Sequence, residues 1–191
     1  MTEHEELIKA QSGDHHAFNS LLRHYLPSAY QVAFMILRER AVADDAVQEA
    51  LIRTYKSIHR FNPEIASFKT WFHQILLHVT WKMAKRKRFF SPWKELLDNS
   101  SEGQPEYVYL QGENQKELYQ TIRKLSKKHQ TVIILYYMQE FSVSEIASIL
   151  TVSEGTIKSR LHYARGELKN ELMSSPHGEI SLKEGWTWNK N

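Results

Sequence analysis

Seven polar side chains near the C-terminus offer hydrogen-bond donors from one short stretch: Thr156, Lys158, Ser159, Arg160, His162, Tyr163 and Arg165. They interleave with Ile157, Leu161, Ala164 and Leu168, whose spacings of 4, 3 and 4 mark one buried stripe of an α-helix. The polar set must then face outward. Cations neutralise phosphates, and hydroxyls and backbone N–H groups bind phosphate oxygens. Arg160 and Lys158 suit the paired acceptors of a guanine edge. The chemistry on offer is recognition of nucleic acid, not bond making. Cysteine is absent, which removes thiol nucleophiles, disulfides and cysteine zinc sites. The 10 histidines include no H-E-x-x-H run. His15 and His16 are adjacent and share no helix face, and His73 and His78 are spaced poorly for chelation. No nucleophile–base pair or glycine-rich phosphate loop is visible. Neither catalysis, a metal, another cofactor nor a small-molecule substrate is expected.

The elements that position these donors are readable upstream. Ser142-x-x-Glu145 fits a capping box that opens a short helix, Val143 to Leu150. Thr151-Val-Ser153 reads as a tight turn, and Ser153 can cap the helix that carries the donors. A short helix, a brief turn and a second amphipathic helix form a helix-turn-helix, with small Ala147 at the crossing and Val152 plugging the turn. Before it, Leu118, Ile122 and Leu125 share one helix face, and a further helix holds Val132, Ile133, Leu135 and Tyr136.

The N-terminal half also reads as helix. Phe18, Leu21, Leu22 and Tyr25 follow helical spacing, and Pro27 suits the first turn of the next helix. That helix carries Ala33, Phe34, Ile36 and Leu37 and ends in Arg38-Glu39-Arg40. Asp44 is the expected N-cap of a third helix, with Val47, Leu51, Tyr55 and Ile58 as its apolar stripe. Phe61-Asn62-Pro63 should break it. A fourth helix, about Phe68 to Arg88, is rich in aromatics and runs into Lys85-Arg86-Lys87-Arg88.

The chain has 191 residues and a net charge of only +3, but the charge is unevenly laid out. Residues 1–94 carry 14 basic and 9 acidic groups, 95–117 carry 1 and 6, and 118–173 carry 8 and 5. Two basic helical blocks are therefore joined by an acidic segment rich in Ser, Asn, Gly and Pro, the composition of a linker. With only 7 glycines and 5 prolines, the chain favours long helices over a turn-rich β fold. No apolar run is long enough to span a bilayer, and the acidic N-terminus is no secretory signal. A cytoplasmic protein without direct membrane insertion is expected.

The run from Glu145 to Leu168, Glu-Ile-Ala-Ser-Ile-Leu-Thr-Val-Ser-Glu-Gly-Thr-Ile-Lys-Ser-Arg-Leu-His-Tyr-Ala-Arg-Gly-Glu-Leu, closely resembles the promoter-binding module of extracytoplasmic-function sigma factors of the sigma-70 family. Asp44-Asp-Ala-Val-Gln-Glu49 resembles the family's polymerase-gripping run, and Phe68-Lys-Thr-Trp-Phe72 its F-x-T-W-L run at the start of the promoter-melting helix. Three departures stand out. Tyr163 replaces a usual Arg, His78 and Lys82 replace Asn and Asp, and Leu125-Ser126 replaces Leu-Pro.

This resemblance implies an all-α chain of two small helical domains joined by a flexible linker, the C-terminal one a helix-turn-helix. Residues 1–92 would bind core polymerase and open the minus-ten element, 93–114 would link, 115–173 would read the minus-thirty-five element, and 174–191 would form a tail holding Trp186 and Trp188. Asp45, Gln48, Glu49 and Arg53 are the expected polymerase contacts. Phe61, Asn62, Lys69, Trp71, Lys82, Lys85, Arg86 and Arg88 are the expected minus-ten contacts, with the loop Phe61 to Ser67 holding a flipped base and Trp71 also suited to the core. The seven donors of the last helix are the expected minus-thirty-five contacts. The implied partners are core RNA polymerase, double-stranded and melted promoter DNA, and an anti-sigma factor. The competing reading, a stand-alone helix-turn-helix regulator, leaves the Asp44–Glu49 and Phe68–Phe72 runs unexplained.

Overall fold

Helix formation begins at Thr2, whose hydroxyl accepts the Glu5 N–H at 3.3 Å while the Glu5 carboxylate accepts the Thr2 N–H at 3.1 Å. This reciprocal cap opens α1, Glu3–Gln11. A computed structural model describes residues 2–90 and 113–173, with side chains for 2–86 and 118–173. The acidic segment 95–106, the tail from Ser174 and the side chains of Lys87 and Arg88 lie outside the described residues. Gly13 takes φ +97°, a turn open to glycine at no steric cost. Asp14 then caps α2, His15–Arg23, accepting from the amides of His16 and Ala17 at 2.8 and 3.1 Å. The Ala17 amide first of all, helped by that of His16, holds the Asp14 carboxyl below its ordinary pKa.

Helix α3, Leu26–Leu37, carries Pro27 in its first turn. It stops where Arg38 turns left-handed at φ 62°. The chain restarts through extended Glu39 into α4, Arg40–Ser57. Asp44 therefore does not cap this helix, as its spacing suggested; it lies inside it, a full turn past the start. The expected stripe is buried only in part. Ala43, Ala46, Val47, Ala50 and Thr54 are buried, while Leu51 is half-buried, Tyr55 is exposed and Ile58 is buried beyond the helix end. Hydropathy periodicity favours large residues, whereas α4 packs on both α3 and α5, Phe68–Phe90. A stripe of small residues lets those helices approach closely.

Between α4 and α5 the chain makes one 3₁₀ turn, Ile58–Arg60, and extends at Phe61, as the following Asn62-Pro63 predicts. An aromatic core closes around this exit. The Phe61 ring lies 5.0 Å from that of Trp71 and edge-on to that of Phe68 at 5.7 Å, and Phe68 sits 5.6 Å from Tyr25. Such pairs add about 0.5–1.5 kcal/mol each beyond burial.

The second unit contains α6, Glu113–Lys124, and α7, Lys127–Ile133. Ser126, which stands where the family has Pro, caps α7 by accepting the His129 N–H at 3.3 Å. One π-helical turn, Ile134–Met138, follows. The capping box is present as predicted: Glu145 N–H donates to Ser142 Oγ at 3.2 Å and Ser142 N–H to Glu145 Oε2 at 2.8 Å. It opens α8, Val143–Leu150. Thr151 turns left-handed at φ 54°, and Ser153 caps α9, Glu154–Met173, by accepting the Thr156 N–H at 3.2 Å. Ile157, Leu161, Ala164 and Leu168 are buried on α9 as expected, joined by Leu172. Among the described residues every regular element is helical, and none is long and apolar enough to cross a membrane.

Candidate nucleic-acid interface

The seven donors of α9 form one continuous outward arc, bounded on its two flanks by half-buried Arg160 and Arg165. Thr156, Ser159, Arg160 and Tyr163 follow i, i+3, i+4 and i+7 spacing along one half of it. Lys158, His162 and Arg165 run along the other, with the buried stripe between Arg160 and Arg165. Ser159, His162 and Tyr163 point to solvent, Tyr163 with 61% of its surface exposed. The Thr156 hydroxyl bonds the cap hydroxyl of Ser153 at 2.9 Å, which orients both at the start of the helix. Lys158 pairs with Glu154 at 3.7 Å. Both are exposed, so this pair contributes little stability and exchanges readily for a phosphate.

Arg165 is engaged within the protein. Its Nε donates to the Tyr137 hydroxyl at 2.7 Å, and its guanidinium lies 5.6 Å from the ring centroids of both Tyr136 and Tyr137. Burial first of all pushes the Tyr137 hydroxyl pKa up, so it stays protonated and accepts with a lone pair. Sequence reading missed this clamp, because residues 28 apart carry no local signal of contact. Two further ties escaped it for the same reason: Lys124 with Glu171, and His129 with Glu167 at 3.0 Å. Together they fix α9 against α6 and α7.

In the first unit, α5 has one solvent face. Gln74, His78, Trp81, Lys82, Lys85 and Arg86 are exposed, with Trp71 and Ile75 half-buried at its upper end. No acid occurs on it. His78 and Lys82, the two departures from the family pattern, stand one turn apart at its centre. Trp71 serves the core and this face at once: one side meets Phe61 and Phe68, at 5.0 and 5.8 Å, and the remainder is open. Phe61 is buried, so its ring supports the exit from α4 instead of facing solvent. Asn62 is exposed, and its Oδ1 accepts the Glu64 N–H at 2.9 Å, shaping a loop whose tip is Ile65, 82% exposed. Lys69 is half-buried near the start of α5, on a different side from the basic face. Arg88 lies on the last turn of α5, its side chain outside the described ones.

The opposite side of α4 from its alanine stripe is charged, with Asp45 and Glu49 set among Arg53 and exposed Lys56. Asp45 and Gln48 are exposed, and Glu49 accepts a charge-assisted bond from Arg53 Nε at 2.7 Å. Ile52, absent from the sequence-based set, sits among them half-exposed, an apolar centre in a charged rim. His73 anchors α5 from below. It is fully buried, with Nδ1 2.8 Å from the Lys69 carbonyl oxygen and Nε2 3.3 Å from Ser28 Oγ on α3. Since the carbonyl only accepts, the ring proton is assigned to Nδ1. Burial lowers the His73 pKa to about 4.

Comparison with known proteins places the chain in a family. Residues 21–89 match the Sigma-70 region 2 family and residues 115–168 match Sigma-70, region 4. The ECF RNA polymerase sigma factor SigW of Bacillus subtilis is 31% identical, covering 88% of this chain and 95% of its own length. The ECF RNA polymerase sigma-E factor of Haemophilus influenzae is 28% identical over 90% of this chain and 96% of its own. Among solved structures, the sigma factor RpoE of Bartonella quintana, crystallised with the anti-sigma factor NepR, superposes with a TM-score of 0.69 at 26% identity, over 83% of this chain and 98% of its own. CnrH, in complex with the cytosolic domain of CnrY, shares the fold at a TM-score of 0.68. The chain belongs to the ECF group of the sigma-70 family, a non-enzymatic factor that directs promoter-specific transcription initiation.

Proposed function

We propose that the two halves of the chain divide initiation between them, residues 1–92 serving core polymerase and the minus-ten element and residues 115–173 the minus-thirty-five element. The observation that carries this is the separation of surfaces in the first unit. A face of mixed charge with the apolar centre Ile52 lies on α4, and an acid-free face with exposed Trp81 and cations lies on α5. A stand-alone DNA-binding protein needs no second, apolar-centred face of this kind.

Core polymerase is held by Asp45, Gln48, Glu49 and Arg53, with Ile52 as the desolvated centre that such interfaces favour. Lys82, Lys85, Arg86 and Arg88 track the DNA backbone, while Trp71 and Asn62 meet unstacked minus-ten bases, as melting requires a partner for each freed base. Lys69 adds charge at the loop, and Phe61 supports the loop from within. In the second unit α9 enters the major groove. Arg160, Thr156, Ser159 and Tyr163 face base edges, and Lys158 and His162 face phosphate. Arg165 acts mainly by fixing α9. The acidic segment 93–114 is the tether between the two readings. An anti-sigma factor is the expected restraint, as RpoE of Bartonella quintana is held by NepR, and the protein works in the cytoplasm.

Run-off transcription with purified core polymerase on genomic fragments tests the whole reading. Discrete transcripts that depend on this chain support it. A DNA footprint equally strong without polymerase, and no transcripts with it, refute it in favour of a stand-alone regulator.

A further inference from the structure

The loop between α4 and α5 is fixed at one end by a residue far away in sequence. Gln11, the last residue of α1, is half-buried, and its Nε2 donates to two carbonyl oxygens: Ile58 at 3.1 Å and Phe61 at 2.8 Å. These carbonyls bracket the 3₁₀ turn through which the chain leaves α4. A helix end leaves its last carbonyls without intrahelical donors. The Phe61 N–H already returns to the Ile58 oxygen at 3.0 Å, so the Ile58 carbonyl takes a second donor from Gln11. The single amide group of Gln11 ties both ends of the turn to α1.

The far end of the loop is fixed independently. Ser67 Oγ accepts the Thr70 N–H at 3.2 Å and donates to Thr70 Oγ1 at 2.9 Å, setting the start of α5. Between these anchors Asn62, Pro63, Glu64 and Ile65 are exposed. The tip keeps its shape through two short bonds of its own, Glu64 N–H to Asn62 Oδ1 at 2.9 Å and Ile65 N–H to Asn62 O at 3.2 Å. The direction in which Asn62 and Ile65 project is therefore set where the chain leaves Phe61. That is where Gln11 holds it, together with the ring packing of Phe61.

We infer that Gln11 is a positioning residue for minus-ten recognition: through its two amide hydrogens it aims the Asn62–Ile65 tip at the DNA. The inference rests on the proposed role of that loop. Gln11 lies outside residues 21–89, the stretch that matches region 2, so this role belongs to a helix the family match does not include. Donor capacity, not bulk, is what the site uses. Gln11→Glu has nearly the same shape but offers its ionised carboxylate to two carbonyl oxygens. Gln11→Lys loses shape but keeps N–H donors of sufficient reach.

The test uses the full chain assembled with purified core polymerase. Holoenzymes of wild type, Gln11→Glu and Gln11→Lys transcribe a library randomised separately at the minus-ten and minus-thirty-five elements, and sequencing of transcripts gives base preference at each position. Core affinity is measured alongside. Wild type should select both elements. Gln11→Glu should lose about tenfold in preference at one or two minus-ten positions, the size expected for one to two neutral hydrogen bonds. Its minus-thirty-five preference and core affinity should stay within about twofold, well under one such bond. Gln11→Lys should retain the minus-ten preference. Unchanged minus-ten preference in Gln11→Glu overturns the inference alone. Equal loss at both elements, or equal loss in Gln11→Lys, also overturns it, because it reports general destabilisation or shape. A wild-type holoenzyme with no minus-ten preference overturns the loop assignment itself and this inference with it.

Discussion

Acid should loosen the packing of α5 through one residue. His73 is fully buried between α3 and α5, and its pKa is about 4 against an ordinary 6.5. In the fold, its neutral ring donates from Nδ1 to the Lys69 carbonyl, while Nε2 shares the single Ser28 hydroxyl proton with the Tyr25 carbonyl, 3.0 Å from Ser28 Oγ. In the unfolded chain the same ring takes up a proton near 6.5. Between these values the unfolded state binds more protons, so stability rises with pH across the window and falls as pH is lowered through it. The contribution is fully present above 6.5 and lost by about 4. At about 1.4 kcal/mol per pH unit, this gap corresponds to about 3 kcal/mol, of which about 1.4 kcal/mol is gone by pH 5.5. The comparison to make is wild type against His73→Gln, whose amide does not titrate. Urea unfolding by circular dichroism at pH 7, 5.5 and 4.5 gives the slopes, and the imidazole proton shifts in wild type give the midpoint directly. The wild type should lose more stability than the variant by about the stated amounts. Equal slopes, or a His73 midpoint near 6.5, would refute the reasoning, because the ring would then be solvated or would gain a partner on protonation.

Arg160→Ala should weaken minus-thirty-five binding by about 1–3 kcal/mol, as expected for a base-specific contact, measured by fluorescence anisotropy on the selected promoter; unchanged affinity removes that role. Arg165→Ala should instead lower the thermal midpoint, with a loss of about 1–3 kcal/mol from the Tyr137 bond and ring contacts. Its order of promoter preferences should survive, and a reordering would return Arg165 to the DNA. Asp45→Lys with Glu49→Lys should abolish co-purification with core polymerase while circular dichroism stays unchanged. Retained binding would count against the α4 face.

Local signals were the legible part. The Ser142–Glu145 capping box, the Ser153 cap, the Pro27 start and the break at Asn62-Pro63 all depend on residues within four positions of one another, and each appears in the structure. The buried stripe of α9 was readable because its residues are large. That of α4 was not, because its alanines carry little hydropathy contrast, and Leu51 and Tyr55 drew attention to the wrong side. Asp44 misled similarly: a good capping residue caps only if the backbone before it is non-helical, and the left-handed turn at Arg38 had already started the helix. At the candidate site, residue types were legible and their grouping was not. The outward arc of α9 follows from helix geometry, but the capture of Arg165 by Tyr136 and Tyr137 depends on how distant segments meet. The same holds for Gln11.

The alanine stripe of α4 also acts as a gauge block. Ala43, Ala46 and Ala50 are 0–2% exposed, on a helix whose outer side is charged and whose inner side packs on α5. Helices meeting over small side chains sit near the lower end of the usual range of about 8–10 Å between axes. The separation between the outer side of α4 and α5 is thus set largely by methyl groups. Either outer surface can change its residues without altering that separation. A single added branch inside, such as Ala46→Val, would alter it for both surfaces at once. Variants that mistime promoter opening while keeping every contact residue should therefore map to this buried line of alanines.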